Sequence, residues 1–322
     1  MVGMARVLQG GLLPAAARPG AVVEIACDES GFSGTNLLDP ASPVITHASV
    51  DLSTGEAVKL IAEVRGRFPF APYELKSGKF LRRPQALEWF LGALHGRSHV
   101  HAVDKELFLV TRIVDLLLGE PSYAAGTCLA QRHRSAALAL YQAGREAGDD
   151  WTAFLTAFVD LAREKRRRPV ERFLRARDAL PGHAVLSELT DDRVWTLAAR
   201  LDSDDRSLPP PLEPLLPALA ETVLFWSRGD RQVLVTHDEQ SALTAGRLVR
   251  LQQALAGGDG PSPLAGLTMA DSRQDPRVQV ADLLAGAARR SGSDGRSDAA
   301  RRSGSAESAD PTKSADSAKS AG

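Results

Sequence analysis

The chain has 322 residues, 43% hydrophobic and 25% charged, with a formal net charge of -1. That is ample for a buried core and ordinary for a globular protein, and no whole-molecule positive field announces a polyanionic partner. Two cysteines, Cys27 and Cys128, are too few for a disulfide framework and point to a reducing, cytoplasmic setting, and no stretch of about 18 apolar residues predicts a membrane span.

In chain order, residues 1–20 read as a flexible leader, broken by Gly10, Gly11 and Pro14. Val22–Cys27 is an apolar run that reads as a buried strand, ending in the acidic turn Asp28-Glu29-Ser30-Gly31. Val44–Asp51 predicts a second strand paired with it as a hairpin. Helical spacing follows at Thr54–Phe68 and around Leu87, Phe90, Leu91 and Leu94, and His99–Asp104 predicts a third strand. Residues 21–104 form the first half of an α/β domain.

From Lys105 to about Arg228 the pattern is helical and rich in Ala, Leu and Arg, which predicts a helical insertion or subdomain over 105–230. Residues 231–290 return to α/β, with strands at Gln232–Thr236 and Leu264–Ala270 and helices at Gln240–Leu255 and Val278–Arg290. Beyond Arg290 the composition of Ser, Gly, Ala, Asp and Lys predicts a disordered tail over 291–322.

Four carboxylates stand in comparable settings: Asp28 after the first strand, Glu74 in Glu74-Leu75-Lys76-Ser77, Asp238 after the fourth, and Asp282 within an apolar helix. Charged side chains on an apolar face need a partner or a metal. Carboxylates brought together repel, and a hard divalent cation such as Mg²⁺ or Mn²⁺ relieves that repulsion. Two such ions would suit hydrolysis of a phosphodiester. Asp104, after the third strand, competes with Asp238 for one ligand position, and His237 reads either as structural or as a proton carrier. Eight basic residues between Arg163 and Arg177 would form either a solvated helix face or a stripe on a phosphate backbone.

The set Asp28-Glu29-Ser30-Gly31, Glu74-Leu75-Lys76, His237-Asp238-Glu239, Asp271-Ser272 and Gln279-Val280-Ala281-Asp282 resembles the bacterial domain-of-unknown-function (DUF) family numbered thirty-eight hundred, over Val22 to about Arg290. That family is similar to the ribonuclease H-like superfamily. The resemblance implies a mixed central sheet flanked by helices, interrupted here by a helical insertion. It also implies a metal-dependent nuclease, a hydrolase that cuts DNA or RNA. Asp28, Glu74, Asp238 and Asp282 would be its catalytic metal ligands for magnesium or manganese. Lys76 would face a substrate phosphate, and Asp271 would support the site or cap its strand. The alternative is a non-catalytic nucleic-acid- or protein-binding module on the same scaffold, for instance in a defence system. No membrane partner is expected.

Overall fold

The computed structural model describes residues 21–34, 37–68, 82–164, 169–257 and 260–290. The expected leader, the expected tail, Glu74, Lys76 and part of the basic run lie outside the described residues.

The chain is α/β, built on a five-stranded mixed sheet flanked by helices. Strands β1 (Val22–Ser30), β2 (Val44–Val50), β3 (Ser98–Asp104), β4 (Gln232–Asp238) and β5 (Leu264–Ala270) lie in the order β3-β2-β1-β4-β5. β2 is antiparallel to both neighbours, whereas β1, β4 and β5 run parallel. The parallel set has its carboxyl ends on one edge, where α/β folds place their sites.

Around the sheet stand α1 (Thr54–Arg67), α2 (Pro84–Ala93), α3 (Lys105–Leu118), α4 (Gln131–Gly144), α5 (Asp149–Arg163) and α6 (Val170–Asp178). They are followed by α7 (Ala184–Glu188), α8 (Asp191–Asp202), α9 (Leu215–Ser227), α10 (Ala245–Ala256) and α11 (276–290).

Because strand side chains alternate, β1 has two faces. Val23, Ile25 and Cys27 pack with Leu216, Leu219 and Val223 of α9 and Leu248 and Leu251 of α10. Ala26, Ala48 and Val50 pack with α1, α2 and α11, through Ile61, Phe90, Val278 and Leu284. These are the α9 face and the α11 face.

Helices α3 to α8 form a third core around Phe154, Phe158 and Phe173, which reaches the sheet at Ile45. Helix α9, inside the segment expected to be an insertion, lies on the sheet itself. Its Trp226 Nε1–H donates to Ser49 Oγ on β2 at 2.8 Å, and Phe225 stacks on His99 of β3 with ring centroids 3.7 Å apart.

One expectation is corrected at β1. The strand does not stop at Cys27: Asp28 pairs with Ala48, Glu29 with His47 and Ser30 with Thr46. The hairpin partner β2 extends the ladder past the apolar run, so the turn begins only at Gly31, whose φ is +101°. Likewise β4 runs on through His237, partnered on both sides, and Asp238, which pairs with Ala270 of β5. The helix expected from Gln240 starts at Ala245, since Leu243 and the residues before it form a turn closed by Leu243 N–H to Gln240 O at 3.2 Å. Among the described residues no helix is long and apolar enough to cross a membrane.

Candidate functional site

Alternation along β1 sends Asp28 to the α11 face and Glu29 to the α9 face. Asp238, at the end of β4, shares the α11 face with Thr236. Helix α11 is fastened over that face at both ends. Arg277 donates to Thr236 Oγ1 at 3.3 Å, and Thr46 Oγ1 donates to the carbonyl of Ala285 at 2.7 Å. Val278, Ala281, Asp282 and Ala285 recur at helical spacing, so Asp282 sits on the stripe of α11 turned towards the sheet.

The electrostatics show the consequence. Asp28 is 6% exposed, and its carboxyl is pushed up to about 9. Burial is the main cause, followed by repulsion from Glu29, Asp238 and Asp282. The Glu29 N–H, donating to Asp28 Oδ1 at 2.7 Å, opposes the shift without cancelling it. Asp238 is also raised, by burial and by Asp271, although it accepts from Ser272 N–H at 3.1 Å. Asp28 thus feels the charge of two of the other expected carboxylates, Asp238 and Asp282, while Glu74 and Lys76 lie outside the described residues. Among the described residues no group of three or more His, Cys, Asp or Glu side chains is disposed to hold one ion.

Asp104 is committed elsewhere. It caps α3 by accepting from Leu107 N–H at 3.0 Å and accepts from Tyr141 Oη–H at 3.1 Å. Asp271 holds Arg273 through both carboxylate oxygens, and its backbone carbonyl accepts from Gln274 N–H, so it closes the turn after β5. Within the basic run, Arg163 donates to Gly34 O, Arg172 pairs with Asp160 at 2.7 Å, and Arg177 bridges Asp178 and Asp191. These three arginines are engaged within the protein.

On the α9 face, directly behind the carboxylates, stands a buried polar chain. His237 Nδ1 lies 2.9 Å from the Asp238 carbonyl, His237 Nε2 lies 3.1 Å from His47 Nε2, and His47 Nδ1 lies 2.7 Å from Thr222 Oγ1. A carbonyl only accepts, so His237 carries its proton on Nδ1 and accepts at Nε2. His47 is then the Nε2–H tautomer and accepts from the Thr222 hydroxyl. Both rings are 0% exposed, and burial lowers both below the usual histidine range, His237 to about 4. His237 is thus a neutral ring that holds the backbone of the β4 tip.

Glu29 lies beside this chain. Its Oε2 is 4.0 Å from His237 Nε2 and has no hydrogen-bond partner among the described residues, while Gln240 donates to Oε1. Burial, then Asp238 and Glu213, push its carboxyl up to about 7.

His47, Thr222 and Gln240 carried no signal in the sequence, because their partners are remote along the chain. Glu29 was visible in the Asp-Glu-Ser-Gly motif, yet nothing local separated its role from that of Asp28.

Compared with protein-family models, with curated proteins and with solved structures, the chain matches none.

Proposed function

We propose that this protein is a divalent-metal-dependent nuclease, hydrolysing phosphodiester bonds of DNA or RNA on a ribonuclease H-like sheet with a helical insertion. The observation that carries the reading is the convergence on Asp28, which feels both Asp238 from the neighbouring strand and Asp282 from the helix above. A protein gains no stability from three carboxylates at one sheet edge, since each raises the cost of ionising the others. A function that needs them ionised together explains their placement.

The donor set fits a hard cation: it is made of carboxylate oxygens, partly desolvated and mutually repelling, with no sulfur ligand among those carboxylates. On this reading Asp28, Asp238 and Asp282 hold Mg²⁺ or Mn²⁺, and Glu74 completes the set. Closing on an ion requires that fourth carboxylate or a change of side-chain rotamer. Such ions, when bound, supply charge neutralisation at the phosphate and a more acidic water. Water adds to phosphorus, one P–O ester bond breaks, and the departing oxygen takes up a proton. Lys76 would face the phosphate.

The fold half of the reading is supported by the order β3-β2-β1-β4-β5, with β2 alone reversed, and by carboxylates at the ends of adjacent strands β1 and β4. A cytoplasmic setting belongs to the same reading, and both Cys27 and Cys128 are free thiols.

The test is a cleavage assay on single- and double-stranded DNA and RNA, with Mg²⁺, Mn²⁺ or EDTA. Cleavage that needs the metal and disappears in Asp28→Asn supports the enzyme. Nucleic-acid binding that survives Asp28→Asn, with no cleavage under any metal, would replace it with the non-catalytic module.

A further inference from the structure

The loop that leaves Asp238 ends at Thr244, the N-cap of α10, so the start of α10 lies at the same edge of the sheet as the carboxylates. A cavity of about 560 Å³ opens there, between the first turns of α10 and the last turn of α8 with the segment that follows it to Pro211. Arg247 and Arg250 line it from the helix, and Arg206 lines it from the facing segment.

The arginines are only lightly engaged. Arg247 donates from Nη1 to the Ala242 carbonyl at 3.0 Å, and Arg250 donates from Nη1 to the Gly246 carbonyl at 3.3 Å. Neither forms an ion pair among the described residues, and each guanidinium keeps further N–H donors. Arg206 is exposed and has no hydrogen bond or ion pair among the described residues. Two acidic residues, Asp204 and Asp205, share the lining. Asp205 is neutralised by Arg200, whose Nε lies 2.8 Å from its Oδ2. Three guanidiniums therefore stand against Asp204. Pro209, Pro210 and Pro211 form a wall whose backbone has little freedom to collapse inward.

Glu213, two residues beyond the proline wall, interacts with Arg247 on one side and, on the other, with Glu29, which faces the α9 side of β1. A chain with net charge -1 has no global field to attract a polyanion, so any such attraction must be local.

We propose that this arginine-lined cavity binds the phosphodiester backbone of a nucleic acid, on the α9 face at the sheet edge that also carries the carboxylates. The forked guanidinium donors match phosphate oxygens, and the positive end of α10 adds to them. Choosing nucleic acid as the ligand rests on the nuclease reading; the cationic cavity itself does not.

Fluorescence anisotropy of a labelled 20-nucleotide DNA and RNA, in EDTA and across a salt series, tests it with the full-length protein. In Arg206→Glu/Arg250→Glu the affinity is expected to fall about tenfold or more, with a salt slope shallower by about 2. Arg65→Glu, which reverses an exposed charge on α1 over the opposite face, is expected to change neither. An equal loss in Arg65→Glu, or no loss in the double variant with an unchanged circular-dichroism spectrum, overturns the proposal. So does displacement of the oligonucleotide by AMP or inorganic phosphate at the concentration at which unlabelled oligonucleotide competes, which would make the ligand a free phosphate. If the double variant does not fold, Arg206→Gln alone is compared, with a slope change of about 1 expected and an unchanged slope overturning the proposal. Binding is read without turnover, so absence of cleavage by the wild type would end the nuclease reading and leave this result standing.

Discussion

His47 on β2 and His237 on β4 meet Nε2 to Nε2 at 3.1 Å, across the strand β1 that separates them. The contact forms on the α9 face, while the carboxylates occupy the other. Its far end is the Asp238 carbonyl, so a buried polar chain on one side of the sheet holds the backbone of a candidate ligand on the other.

The coupling of this pair is measurable. His47→Leu leaves the His237 Nε2 acceptor and the Thr222 hydroxyl without a partner in the core, and is expected to cost about 1–3 kcal/mol. His237→Leu removes the other half. In a double-mutant cycle by urea denaturation the double variant is expected to recover about 0.5–3 kcal/mol relative to the sum of the singles. Additive single effects would show that the two rings do not support one another.

Stability without metal is expected to fall as pH rises from 7 to 9. Asp28 is raised to about 9 from an ordinary value of 3.8, so the native state holds a proton that the unfolded chain has released. Its contribution is fully present below about 3.8 and is lost as pH climbs towards 9, with a slope on the order of 1 kcal/mol per pH unit. Glu29, raised to about 7, adds to the loss up to that pH. The buried histidines act in the opposite sense, but only below their unfolded value of 6.5, as His237 does down to about 4. Melting curves at pH 7, 8 and 9 with EDTA check the slope, and on the metal reading Mn²⁺ or Mg²⁺ flattens it. A flat profile in EDTA would show that Asp28 is ionised at neutral pH.

Asp28→Asn is expected to separate stability from activity. The amide keeps an oxygen to accept from Glu29 N–H and removes the cost of holding protonated, in the core, a carboxyl that the unfolded chain ionises. At pH 8 without metal it should stabilise the fold by on the order of 1 kcal/mol, a rise in melting temperature of about 2–4 °C. The same variant should lose any metal-dependent cleavage. A lower melting temperature would mean that the carboxylate has a stabilising partner in the native state.

Gly31→Ala probes the turn that ends β1. At φ +101° an added Cβ would stand 2.5 Å from the Val44 carbonyl oxygen and 2.9 Å from Arg289 Cδ. The arginine chain can move, but the β2 backbone cannot do so without disturbing the β2–β3 ladder, where Val44 pairs with Asp104. A loss of about 2 kcal/mol or more is expected in denaturation, combining the left-handed conformation with the clash. A neutral substitution would show that the turn rearranges freely and does not hold the Asp28 end of β1 in place.

Much of the architecture was legible along the chain, because apolar periodicity is a local property. The spacing in Thr54–Phe68 became α1, and the alternation in Val44–Asp51 became β2 paired with β1. Asp282 falls on α11, among the packed positions Val278, Ala281 and Ala285. The ends of β1 and β4 were less legible, since Asp28-Glu29-Ser30-Gly31 and His237-Asp238 have the composition of turns. Only partners on neighbouring strands extend those ladders. Asp104 and Asp238 looked alike in sequence, and tertiary contacts separated them: one caps α3 while the other joins the carboxylates.

The sequence by itself determined where helices and strands form and which carboxylates stand at strand ends, since period and turn chemistry act within a few residues. Tertiary structure decided the rest. Inserting β1 between β2 and β4 brought His47 to His237, set Asp238 beside Asp28, and turned Glu29 to the opposite face. Those relationships join residues about 190 to 210 positions apart. They arise from strand order and the packing of α9 and α11, which no local pattern encodes.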